Sequence, residues 1–139
     1  MRLFLDTNVV LDVLARREPW FAHSAGVMSL LESDQVEGIV AAHSITTLSY
    51  LCSKHLGSER ANTAIVELLN LVTVAPLGHE TILKALALRW PDFEDALQAL
   101  CASEADADYL VTRNGDDFRN ASLPVVSPSE LLALLRSSD

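Results

Sequence analysis

Cysteine is scarce in this chain: only Cys52 and Cys101 occur in 139 residues. They lie far apart and match no zinc-binding spacing. A chain of this length buries roughly two thirds of its unfolded surface and needs no disulfide or metal to fold. Both thiols are therefore expected to be core residues of a reduced protein. Long apolar runs are also missing. No stretch approaches the ~20 residues of a membrane-spanning helix, and Arg2 and Asp6 bring charge too early for a signal peptide. These absences predict a soluble, cytoplasmic protein with no membrane partner. Basic charge is short as well, with Lys plus Arg 10 against Asp plus Glu 19 and a formal net charge of -9. That excludes a protein that coats nucleic acid by bulk charge, but not an enzyme whose carboxylates hold a cation. Repeats and low-complexity stretches are absent, and polar patches such as 57–60 and 113–117 read as loops within a single domain, 1–139. What the chain does have is 50% hydrophobic and 21% charged residues, the composition of a globular domain.

Short apolar runs alternate with helical patterns. Leu3 to Leu5 reads as a buried strand that ends in Asp6-Thr7-Asn8. A helical pattern follows from Val9 to Leu14, and Pro19 is expected to open a second helix running to about Ser33. A second strand is expected over Gly38 to Ala41, then a helix from Ser44 to Leu56 stopped by Gly57. Ser58 is read as the cap of a helix running to about Asn70. Leu71 to Val74 is a third strand and Gly78 to Leu88 a helix, which Pro91 prevents from continuing. Asp92 stands at the N-cap of a helix running to Ser103. Tyr109 to Thr112 and Val125-Val126 supply two more strands. Ser127-Pro128-Ser129-Glu130 is a capping box opening the last helix, to about Arg136. Apolar strands alternating with helices predict an α/β fold: a three-layer α/β/α sandwich on a parallel sheet of about five strands.

In such sheets, ligands bind beyond the carboxyl ends of the strands. Asp6, the segment His43 to Thr47 and the segment Thr112 to Asp117 all fall at such ends. If strands one and four are neighbours, Asp6 meets the strand-four loop. Asp95 lies near the start of the helix leading into strand four, on the same face as Asp92. Clustered carboxylates repel one another and lose hydration, and oxygen-rich acidic sites suit Mg²⁺ or Mn²⁺. Each acid also has an ordinary role: Asp6 and Asp92 as helix caps, Asp95 at a helix N-terminus, Asp116 and Asp117 as loop charges beside Asn114-Gly115. Glu94 is expected to point away from Asp92 and Asp95, and Asp12 to be a surface or interhelical polar residue. His43 reads as a helix-start polar residue.

Three segments together resemble the PIN domains, and among them the VapC-type toxins of bacterial toxin–antitoxin pairs. They are Leu3 to Asp12, Pro91 to Gln98 and Tyr109 to Phe118, with the ending Leu123 to Pro128 in keeping. The resemblance implies a metal-dependent endoribonuclease using Mg²⁺ or Mn²⁺ and leaving 5′-phosphate and 3′-hydroxyl ends. It implies that Asp6, Asp95 and Asp117 are the catalytic, metal-binding acids, with Asp116 the rival of Asp117. Asn8 would hold Asp6, Thr112 would orient a ligand or water, and Asp92 and Asn114 are weaker candidates for the site. Arg113 and Arg119 flank the last segment and are candidates to contact RNA. A homodimer and a small VapB-type antitoxin are the implied partners. One departure stands out: the acid usual in the helix after strand two is missing, and Thr47 is its nearest match. This leaves a second reading, a catalytically weakened fold acting mainly as a protein-interaction module. For that reading, Trp20, Phe21, Val27, Met28, Leu30 and Leu31 could supply a groove. A phosphatase on a similar sheet would need a second acid where Asn8 stands.

Overall fold

The computed structural model describes residues 1–137; the last two positions of the domain expected over 1–139 lie outside them. The chain runs β1 (Arg2–Leu5), α1 (Thr7–Leu14), α2 (Phe21–Leu30), β2 (Glu37–Ala41), α3 (Ala42–Leu56), α4 (Ser58–Leu71) and β3 (Val72–Ala75). It continues through α5 (His79–Leu88), α6 (Phe93–Glu104), β4 (Tyr109–Val111), β5 (Val125–Val126) and α7 (Pro128–Ser137), with a short 3₁₀ turn at Gly115–Phe118. The strands form one sheet in the order β3-β2-β1-β4-β5, and every pairing is parallel.

Alternation along the central strand explains the layers. Leu3 and Leu5 of β1 point into a core shared with α1, α2, α3, α4 and α7. Phe4 points the other way, to Ala99, Cys101 and Ala102 of α6 and to Phe118. Both faces of the sheet are covered, so its strands are apolar throughout. Cys52 and Cys101 are free and buried, one in each core. Burial pushes both thiols up, Cys101 to about 11, which keeps them protonated and inert.

Local signals set most boundaries, with three corrections. Gly57 ends α3 at φ +84°, a conformation glycine adopts without strain, and Ser127 and Glu130 form the reciprocal capping box of α7. Ser58, however, does not cap α4; Gly57 holds that position with no side-chain bond. Pro19 lies in a turn, and α2 spans only Phe21–Leu30. The first helix begins earlier than its apolar pattern, at Thr7, because Asp6 caps it. Of the residues expected to supply a groove for a partner, Val27, Met28 and Leu31 are core, Phe21 and Leu30 are half-buried, and Trp20 is exposed and lines a cavity with Pro19, His23 and Pro128.

The chain builds outward from β1 through β2 and β3, then crosses over to β4 and β5. The order of the strands reverses between β1 and β4, and a crevice opens at such a switch point beyond the strand ends. Asp6 and the loop from Thr112 to Asp117 both emerge there, since β1 and β4 pair directly.

Candidate active site

Asp6 follows β1 at this switch point and is only 3% exposed. Its backbone N–H donates to Val111 at 3.0 Å, which ties it to the end of β4. Its Oδ1 accepts from Gln98 Nε2 at 2.9 Å and from the Asn8 backbone N–H at 3.4 Å. Its Oδ2 accepts from Thr112 Oγ1 at 2.8 Å. Every one of these donors is neutral. Burial raises the Asp6 carboxyl above its ordinary range; the bonds from Gln98, Thr112 and Asn8 oppose that shift, and the nearby Glu94 charge adds to it.

Asp95 arrives from the first turn of α6. Asp92 caps that helix, its Oδ1 accepting the Asp95 N–H at 3.0 Å. The Asp95 carboxyl is pushed up to about 7, first by burial and then by the charges of Asp92, Glu94, Asp6 and Asp117. All of these causes act in one direction. Asp95 shares a cavity of about 120 Å³ with Asp92, Asp116, Asp117 and Arg119, walled by Trp90. Of the two loop acids, Asp117 is the one whose charge acts on Asp95. Asn114 lies between the strand and these acids, its N–H donating to Thr112 Oγ1 at 3.1 Å and its carbonyl accepting from Asp117 N–H at 3.0 Å.

Asp95 thus lies within electrostatic reach of both Asp6 and Asp117, while the carboxylates gathered within 4.8 Å of one another among the described residues are those of Asp92, Glu94 and Asp95. The crevice does not gather every expected residue. Thr47 is exposed on α3. Asn8 touches Asp6 through its backbone only, and its side-chain oxygen accepts from Arg17 at 3.1 Å. Arg113 is committed elsewhere: it bonds buried Asp12 at 2.9 Å and stacks 3.8 Å over the Trp20 ring. Arg119 remains at the cavity rim, exposed.

Two residues escaped the sequence reading. Gln98 is fully buried and bonds Asp6 directly; a lone amide in the apolar run Ala96-Leu97-Gln98-Ala99 was the available signal. Glu94 is exposed as expected, but it does not point away. Its carboxylate lies with those of Asp92 and Asp95, all within 4.8 Å of one another. It turns that way because Gln98, one helical turn on, donates to it at 3.0 Å. Carboxylate oxygens, partly desolvated and mutually repelling, are the donor set that a hard divalent cation fits.

Comparison with known proteins agrees with this fold. Residues 2–116 match the family described as PIN domain. Ribonuclease VapC1 of Aquifex aeolicus (strain VF5) is 25% identical over 134 residues, covering 93% of this chain and 92% of that protein. Among solved structures, VapBC2 from Rickettsia felis bound to a promoter DNA fragment aligns with a TM-score of 0.72 at 19% identity, over 91% of this chain and 98% of that one. VapBC-1 from nontypeable Haemophilus influenzae aligns with a TM-score of 0.71 at 20% identity, over 93% and 99%. At these identities the structural likeness establishes the fold.

Proposed function

Because this chain belongs to the PIN-domain family, we propose that it is a metal-dependent endoribonuclease, the toxin of a VapBC-type toxin–antitoxin pair. One observation carries the metal dependence: Asp6 is buried with neutral donors only, and its charge acts on Asp95, whose carboxyl is pushed up to about 7 first by burial and then by surrounding carboxylates. The ribonuclease reading is supported by the curated relative, whose name states that activity. The toxin–antitoxin reading is supported by neighbours that are VapBC complexes.

In this reading Asp6, Asp95 and Asp117 would hold Mg²⁺ or Mn²⁺. Either ion, when bound, lowers the pKa of water and offsets charge on phosphoryl oxygens. The protein's own residues prepare the place. Gln98 and Thr112 fix both oxygens of Asp6, so its carboxylate does not swing as substrate arrives. Asp95 gives up its proton when a cation occupies the crevice. Arg119, which lines the cavity and is exposed, offers a guanidinium to a backbone phosphate. The net charge of -9 repels RNA until such local positive charge is in place.

The partners of this reading are RNA, a VapB-type antitoxin and a second copy of the chain, in the cytoplasm. Exposed Ile82, Leu83 and Leu86 on α5 and Val66 and Leu69 on α4 give such protein partners apolar surface. No helix among the described residues is long and apolar enough to cross a membrane.

Incubation of a broad RNA panel with Mn²⁺, with and without chelator, tests the nuclease reading. Cleavage should need the metal, and Asp6→Asn with Asp95→Asn should slow it about 100-fold or more, the scale of losing a charge-stabilising group. An RNA panel equally intact with and without Mn²⁺ would overturn it in favour of a partner-binding module.

A further inference from the structure

Glu94 is the acid that the site description leaves without a task. We infer that it is the fourth acid of this centre, supplied from α6 and held across to α3, where the helix itself offers no carboxylate. The inference rests on the metal reading above and extends it to a residue with a distinct origin.

The geometry begins with Gln98. Its Oε1 accepts the Thr7 backbone N–H at 3.1 Å, so the orientation of the amide is set by a donor that cannot move. Its two N–H bonds must then face the other way. Nε2 donates to Asp6 at 2.9 Å and to Glu94 at 3.0 Å. One buried nitrogen therefore joins the two carboxylates and uses both of its hydrogens to do so. Gln98 itself is 0% exposed, so this bridge is fixed by packing.

The other end of Glu94 is fixed too. Oε2 lies 2.6 Å from Nε2 of His43, in the first turn of α3. His43 and Thr47 stand one turn apart on the same face of that helix. The α3 side of the crevice thus presents His43, bonded to Glu94, and Ser44, bonded to Thr7 at 2.6 Å, with exposed Thr47 one turn beyond His43. The negative charge nearest that side belongs to Glu94. An ionised carboxylate offers about four acceptor positions. Gln98 and His43 occupy one on each oxygen, which leaves the others for a cation. The Glu94 side chain is 46% exposed, so a cation can reach it from solvent. An ordinary surface ion pair would not need a buried amide shared with Asp6.

Calorimetric titration of Mn²⁺ into the full chain tests this without relying on catalysis. Glu94→Gln keeps an oxygen for Gln98 to donate to and removes only the charge. It should weaken Mn²⁺ binding about tenfold or more. Adding Thr47→Glu to that variant should restore affinity by returning a carboxylate from α3. Wild-type affinity in Glu94→Gln, while Asp6→Asn with Asp95→Asn loses binding, would overturn the inference and leave the nuclease reading standing. A double variant no tighter than Glu94→Gln would also overturn it, since Glu94 would then act through Gln98 and not as charge. No Mn²⁺ uptake by the wild type would sink both readings together.

Discussion

Asp6 and Asp12 stand at opposite ends of α1, the first at its cap and the second in its last turn. Both are buried, at 3% and 0% exposure. Their partners differ in kind. Asp12 meets two guanidiniums: Arg17 at 2.9 and 3.0 Å, and Arg113 at 2.9 and 3.4 Å. Asp6 meets an amide, a hydroxyl and a backbone N–H. Adjacent residues of one loop make the split, since Thr112 serves Asp6 while Arg113 serves Asp12. A buried charge is costly unless it is paired. Asp12 is paired within the chain and is structural. Asp6 is left with neutral donors and a neighbouring acid, Glu94, a cost that the proposed cation would offset.

Removing each carboxylate should separate the two most sharply. Asp12→Ala leaves two partly buried guanidiniums without their countercharge, Arg17 keeping its bond to Asn8 and Arg113 its stacking on Trp20, and should lower stability by about 3 kcal/mol, at the small end for broken buried pairs because both arginines reach solvent. Asp6→Asn removes a charge that has no countercharge, and should shift stability by less than about 1 kcal/mol. Urea midpoints at pH 7.5 measure both. Equal losses would mean that Asp6, like Asp12, is mainly a structural acid.

The next effect is a pH dependence confined to the acidic side. The Asp95 carboxyl lies at about 7 in the folded protein against an ordinary 3.8. The folded state therefore holds this proton more tightly than the unfolded chain. That contribution is complete below pH 3.8 and is lost as pH rises through about 7. Asp6 is raised and acts in the same sense. Glu104 is lowered, chiefly by its bond from Thr81, so its contribution has the opposite sign and fades only at acid pH. Between about pH 5 and pH 7.5 the metal-free protein should thus lose thermal stability, and Asp95→Asn should flatten that slope. Mn²⁺ should reverse it, because binding deprotonates the acids. A slope unchanged by Asp95→Asn would place the titrating group elsewhere.

How much of this contrast the sequence revealed follows from the range of the interactions. Local chemistry was legible: Asp6 after an apolar strand, Asp92 three residues before Asp95, Ser127 three before Glu130 and Gly57 after a helix all act within one turn. The alternation of strand and helix was legible for the same reason, but the pairing of β1 with β4 entered only as a condition and is supplied by the structure. Contacts between distant segments were not. Helical spacing placed Glu94 relative to its neighbours on α6, but its direction is set by Gln98 and by His43, a residue far away in the chain. Arg113 read as a loop cation near phosphate; the burial of Asp12, which no local pattern reveals, draws it inward.

The smallest effect tests whether the two aspartates are independent. Trp20 covers the outer face of Arg113, its ring 3.8 Å from the guanidinium carbon. Trp20→Ala removes that stacking but leaves both Arg113–Asp12 bonds in place, so stability should fall by only about 1 kcal/mol. Mn²⁺ affinity should not change, because Asp12 keeps its two cations and Thr112 keeps its bond to Asp6. Paired thermal melts and Mn²⁺ titrations of this variant check both halves. A normal melt with weakened Mn²⁺ binding would break the separation. It would mean that the position of Arg113 is passed along the backbone to Thr112 and so to Asp6, making the paired acid a support for the unpaired one.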